Sequence, residues 1–146
     1  MITPSPTNKI APTLARGVLA EVVGPTATKL GFLKITIPNT SYELHLYPVN
    51  PPKAAVGKRI IGEIRARARR IGVVQTGGQY IEPVYGRPRR VQGTVIAVTG
   101  DSIVVDAGVP VHITPTDPRQ KPSDFQVDQF VSFDVMEGAV FDEKTA

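Results

Sequence analysis

Arg65, Arg67 and Arg69 alternate with Ile64, Ala66 and Ala68 inside the run GKRIIGEIRARARRIG, Gly57 to Gly72. In an extended strand every second side chain shares a face, so these guanidinium groups would stand roughly 6–7 Å apart in one row. That spacing suits the phosphates of a nucleic-acid strand, and guanidinium both forks onto phosphate and stacks on bases. Arg59 and Arg70 bracket the row, and Arg87, Arg89 and Arg90 follow it. Two other readings stand beside polyanion contact. Charge on an exposed strand keeps an edge from aggregating, and a basic segment can meet an acidic one on a neighbouring chain.

The remaining chemistry-bearing residues are sparse. Of the two histidines, His45 and His112, neither has Cys, Asp or Glu neighbours at metal-ligand spacing; each reads as a strand residue with a structural hydrogen bond. The absence of Cys removes thiolate nucleophiles, disulfides and thiolate metal sites together. No Gly-x-Ser-x-Gly elbow and no His-Glu-x-x-His occur, and Thr76-Gly77-Gly78-Gln79 lacks the lysine of a phosphate-binding loop. These absences set the expectation of a protein that is not an enzyme and that carries no cofactor, no metal and no catalytic residue.

Charge is unevenly distributed along the 146 residues. Residues 53–90 hold ten Lys/Arg against two carboxylates, and residues 101–146 hold three against nine. The formal net charge of +4 therefore conceals a basic first half and an acidic second half. Met1 to Pro12, MITPSPTNKIAP, has no apolar core of ~7–15 residues and reads as an extended arm rather than a secretory signal. No run approaches the ~18 apolar residues of a membrane span. A cytoplasmic protein without membrane contact is expected.

The elements that must position these side chains are short strands. Fourteen prolines and thirteen glycines starve long helices. Pro38-Asn39-Thr40-Ser41 separates Lys34–Ile37 from Tyr42–Tyr47, and Gly100-Asp101 separates Val95–Val98 from Ile103–Val105; both read as hairpins. Thr76-Gly77-Gly78 between Val73–Gln75 and Gln79–Ile81 suggests a third, and Phe125 to Val135 a late strand pair. Within Gly57 to Gly72, Ile60, Ile64, Ala68 and Ile71 also fit a helical stripe, but the arginine alternation favours a strand.

The chain also matches itself. Leu44-His45-Leu46-Tyr47-Pro48-Val49-Asn50-Pro51 lies on Val111-His112-Ile113-Thr114-Pro115-Thr116-Asp117-Pro118 at a constant shift of 67. Val56–Ile64 matches Val127–Val135, and Gly17–Val23 matches Gly93–Val98, in the same order. Three colinear matches point to tandem duplication of a small module. A 1–13 arm, a first module at 14–85 with an extra hairpin, a second at 86–142 and a 143–146 tail are expected. Modules this small bury little surface alone, so the two should pack on each other.

Each module, with its Gly-led first strand, its His-bearing central strand and the Gly57- or Asp128-marked start of its fourth strand, resembles an oligonucleotide/oligosaccharide-binding (OB) barrel. The resemblance implies an all-β fold of two tandem barrels, with ligand held on the second and third strands and adjoining loops. It would make Phe32, Tyr42 and Tyr47 stacking platforms beside Lys29 and Lys34. Single-stranded DNA or RNA is then the expected partner, with Arg59, Arg65, Arg67, Arg69, Arg70, Arg87, Arg89 and Arg90 on its phosphates. The alternative is an assembly or scaffold module, a homo-oligomer held by its opposite-charge halves.

Overall fold

The computed structural model describes residues 11–144; most of the expected N-terminal arm, and positions 145 and 146 of the expected tail, lie outside the described residues. The protein is all-β, with eleven strands in one continuous sheet and a single turn of 3-10 helix at Pro122–Asp124 among those residues. The strands are β1 (Ala15–Val23), β2 (Phe32–Thr36), β3 (Glu43–Pro48), β4 (Arg59–Val73), β5 (Tyr80–Glu82), β6 (Tyr85–Gly86), β7 (Arg90–Val98), β8 (Ile103–Asp106), β9 (Pro110–Pro115), β10 (Phe130–Val135) and β11 (Val140–Glu143).

The ambiguous arginine run is thus a strand. Alternation buries Ile60, Gly62, Ile64, Ala66 and Ala68 on one face of β4 and turns Arg65, Arg67 and Arg69 to the other. A helical stripe of Ile60, Ile64, Ala68 and Ile71 would leave Gly62 and Ala66 outside it. Burying every second residue is the better use of this composition.

Strand pairing closes two circuits that share β4. The first runs β1–β2–β3–β11–β4 and back to β1, all antiparallel except β3–β11. The second runs β7–β8–β9–β4–β10 and back to β7, all antiparallel except β9–β4. Residues 59–65 of β4 serve the first circuit and 64–73 the second. β11, reached only after β10, returns to close the first. The first circuit therefore takes its last strand from the second half, and the second circuit takes the far end of β4 from the first, an arrangement that the self-match did not disclose.

The matched sequence positions occupy matching places. Gly17 and Gly93 both lie against the neighbouring strand; a Cβ on Gly17 would sit 2.6 Å from Ile35 Cγ2 and 2.8 Å from the Thr36 carbonyl, and one on Gly93 would meet the Asp106 carbonyl. Both first strands then bulge at the same point, β1 between Leu19 and Glu21 and β7 between Val95 and Ala97. Gly57 (φ +87°) donates its N–H to the Leu19 carbonyl at 2.7 Å, as Asp128 (φ +79°) does to Val95 at 2.8 Å. Asp is among the few side chains that tolerate this left-handed backbone.

Two expected hairpins differ. β5 pairs with β7 rather than with the end of β4, and the Gly78 carbonyl accepts a hydrogen bond from Gln92 Nε2 at 2.9 Å. Phe125 is buried in a loop after the 3-10 turn, so the late segment supplies one strand, β10, to its neighbours β4 and β7.

One apolar cluster fills both circuits, from Leu19, Ile35, Leu44 and Phe141 to Val105, Ile113, Val131 and Phe133. Gly62 leaves the space in which the Phe141 ring crosses β4. Because β4 and β11 tie the halves, unfolding should be one transition. Phe141→Ala should cost about 3–5 kcal/mol. Native-state amide exchange should show equal loss of protection at Ile35 and at Val105; loss confined to Ile35 would mean independent halves.

Candidate functional site

The outward residues of β2 and β3 are Phe32 and Lys34 on one strand, Glu43, His45 and Tyr47 on the other, because Leu33, Ile35, Leu44 and Leu46 take the interior. β6 adds Tyr85, which stands opposite Glu43 in register. Phe32 and His45 stack at 5.0 Å between centroids with a 26° interplanar angle, and Tyr85 meets His45 edge-on at 4.8 Å. The result is an aromatic row across three strands.

Lys34 completes this row. Its Nζ donates to the Tyr85 hydroxyl at 3.4 Å and pairs with Glu21 at 3.3 Å, contacts that hold its pKa above the ordinary lysine value, the hydroxyl first. The same Nζ is 5.9 Å from the ring centroid, which puts it beyond the hydroxyl end rather than over the ring. Tyr85 remains 58% exposed, so part of its ring is accessible to a partner.

Two adjoining cavities flank His45 and Tyr47. One, of about 550 Å³, is walled by Thr28, Lys29, Leu30 and Phe32 from β2 and the loop before it. The other, of about 230 Å³, is walled by Pro88, Arg89, Val135, Gly138 and Ala139. His45, Tyr47, Arg87 and Glu137 line both. Arg87 bonds Glu137 at 2.6 Å, and this contact, followed by one to Tyr47, holds its pKa above the ordinary arginine value.

The arginine row of β4 continues from this cleft. Pairing sets Tyr47 beside Val140, Val140 beside Arg65, and Arg65 beside His112, across β3, β11, β4 and β9. Arg65 is bonded by Glu63 and lies 3.9 Å from Asp142, so its charge is compensated. Arg67 and Arg69 are exposed and carry no ion pair among the described residues.

The other sequence candidates divide. Phe32, Tyr47, Arg87 and Arg89 meet in the cleft, and Arg65, Arg67 and Arg69 lie on the adjoining row. Arg59 is exposed at the opposite end of β4, across from Val18. Arg70 is exposed near Asp117, whose carboxyl is drawn down to about 2 by the side chain and backbone N–H of Arg119. Arg90 is tied to Asp134 at 2.7 Å, Ser132 at 2.8 Å and Tyr80 at 3.3 Å, and it lines a separate hollow with Tyr85, Arg87 and Arg89. Tyr42 stands apart: its hydroxyl donates to the Ala107 carbonyl at 2.9 Å and accepts the Ile81 N–H at 3.0 Å, joining the two circuits.

His45 lines the cleft and Tyr85 stands at its rim in the aromatic row; sequence reasoning assigned Tyr85 no role and expected of His45 a structural hydrogen bond, which holds for His112 but not for His45. The pairing of β6 with β3 that places Tyr85 has no local signal. His45 and its counterpart differ sharply: His112 is 7% exposed and its Nε2 donates to the Thr13 carbonyl at 2.9 Å, whereas His45 Nε2 is buried without a hydrogen-bond partner, 3.7 Å from Glu43. No group of three His, Cys, Asp or Glu able to hold a metal occurs among the described residues, and no helix there is long and apolar enough to cross a membrane.

No protein-family model, no curated protein and no solved structure matches this chain.

Tyr42→Phe removes a hydroxyl that serves two buried backbone groups. It should lower the unfolding free energy by about 1–3 kcal/mol in a urea titration, while Tyr85→Phe, at an exposed ring whose hydroxyl meets only Lys34, should change it by under about 0.5 kcal/mol.

Proposed function

We propose that the protein is a non-enzymatic binding module of the OB type that holds single-stranded nucleic acid across the outer face of β2 and β3. The observation that carries this reading is the aromatic row Phe32–His45–Tyr85, set beside cations and open to solvent at Tyr85. Every base has a π-face, so such a row is tolerant of sequence, and flanking Lys29, Arg87 and Arg89 track the backbone. The strand would leave the cleft past β11 and meet Arg67 and Arg69. Five strands per circuit, three of them a meander, and a cleft against the loop between β1 and β2 accord with the OB barrel's preferred ligand face.

The assembly alternative draws less support. Asp134, Glu137 and Asp142 pair with Arg90, Arg87 and Arg65 of the same chain, so much of the opposite charge meets internally. Sedimentation over a concentration series should therefore show constant mass at moderate salt.

Fluorescence anisotropy of a labelled single strand tests the reading. Binding at low salt should weaken with rising salt, the logarithm of affinity falling by ~0.7 per phosphate contacted. Phe32→Ala and Tyr85→Ala should each cost about 1–3 kcal/mol. Joint replacement of Arg67 and Arg69 by Ala should flatten the salt slope by about 1–1.5. Absence of binding at low salt rejects the reading.

A further inference from the structure

We infer that Glu137 is a built-in competitor for the cleft: it occupies Arg87 in the free protein and gives way to a phosphate of the bound strand. The inference rests on the nucleic-acid reading and specifies how that site admits its ligand.

Glu137 is the one carboxylate among the residues that line the two cavities, and with Arg87 it borders both. The pair lies where a strand running from Lys29 to Arg89 would have to pass. While it is closed, one guanidinium on the border shared by the two spaces is neutralised.

The backbone on either side is fixed. Met136 donates its N–H to the Arg67 carbonyl at 2.8 Å, and the Ala139 carbonyl accepts from Tyr47 at 3.0 Å. Gly138 turns between them at φ +102°. Opening therefore needs only rotation of the Glu137 side chain. That side chain is 77% exposed and Arg87 is 47% exposed, so water solvates the carboxylate once it is released. An exposed pair of this kind resists separation weakly. Glu137 accepts from Arg87 through one nitrogen, Nη1, whereas a phosphate can take the guanidinium fork through two and brings neighbouring phosphates to Lys29 and Arg89.

The exchange also confers selectivity. A neutral ligand that stacks on Phe32 and Tyr85 gains nothing at Arg87, since it supplies no anion to replace the carboxylate. A polyanion does.

A double-mutant cycle on labelled single-strand binding tests this. Glu137→Gln should tighten binding about three- to tenfold at low salt, and Arg87→Gln should weaken it. In the Arg87→Gln background, Glu137→Gln should change affinity less than about twofold. An equal gain in both backgrounds would mean that Glu137 acts only through its long-range charge, and would overturn the exchange. So would an unchanged affinity for Glu137→Gln, while the wild type still binds and Phe32→Ala weakens it; that result leaves the nucleic-acid reading intact. Failure of the wild type and Glu137→Gln alike to bind at low salt removes both. Both substitutions are at exposed positions, and unaltered thermal unfolding of each variant would certify that the cycle reads binding.

Discussion

The structure depends on one shared strand. β4 is hydrogen-bonded along its length to four others, β1 and β11 in the first circuit, β9 and β10 in the second. Its inward residues must therefore fill one interior and then the other. Ile60 and Ile64 serve the first, Ile71 the second, and small Gly62, Ala66 and Ala68 lie along the passage between them. Strand periodicity leaves the intervening positions no choice but the outer surface. Arginines at 65, 67 and 69 are compatible with this strand only because they face out, and the row they form follows from the alternation that builds the core. Closure also removes the free edges that short two-sided strands would otherwise expose.

The two circuits share a scaffold but not a surface. The register equates Lys34 with Val104, Glu43 with Pro110, His45 with His112 and Tyr47 with Thr114. The polar and aromatic side chains lie on the first circuit. On the second, Val104 is fully buried and His112 is engaged by the Thr13 carbonyl. One scaffold thus presents an open aromatic face and a covered aliphatic one. The proposed ligand face belongs to the first circuit for this reason, since Val104 and Thr114 offer neither a cation nor a ring.

What was legible in the sequence follows the range of the interactions. Strand alternation in β4, the turns at Asn39 and Gly100, and the paired glycines Gly17 and Gly93 are local, and each marks its place. The duplicated histidines marked equivalent strands because the two share a backbone position, although their hydrogen bonding differs. The crossing of β11 to the first circuit was hidden because Val140–Glu143 is a four-residue strand whose partners, β3 and β4, lie far away in sequence. The same distance hid Tyr85. Tyr42 resembled its aromatic neighbours in type, but its hydroxyl lies within reach of Ala107 and Ile81, which only the joined circuits bring together.

Charge illustrates the same point in another form. The sequence separates a basic block from an acidic one, and that separation suggested attraction between molecules. Folding brings the blocks into contact: Glu143 accepts the backbone N–H groups of Lys53 and Ala54, while Asp134, Glu137 and Asp142 take Arg90, Arg87 and Arg65. Asp101, Asp106, Asp117 and Asp124 bond groups close to them in the chain. Among the described residues the acidic block is thus largely engaged, whereas Arg67, Arg69 and Arg89 keep uncompensated charge at the surface. At physiological salt, fields between exposed charges fade within about 8 Å, so local residues count for more than the halves' net charge. The field that reaches an approaching partner is then that of the free cations beside the cleft, which is the field that the proposed polyanionic ligand would meet.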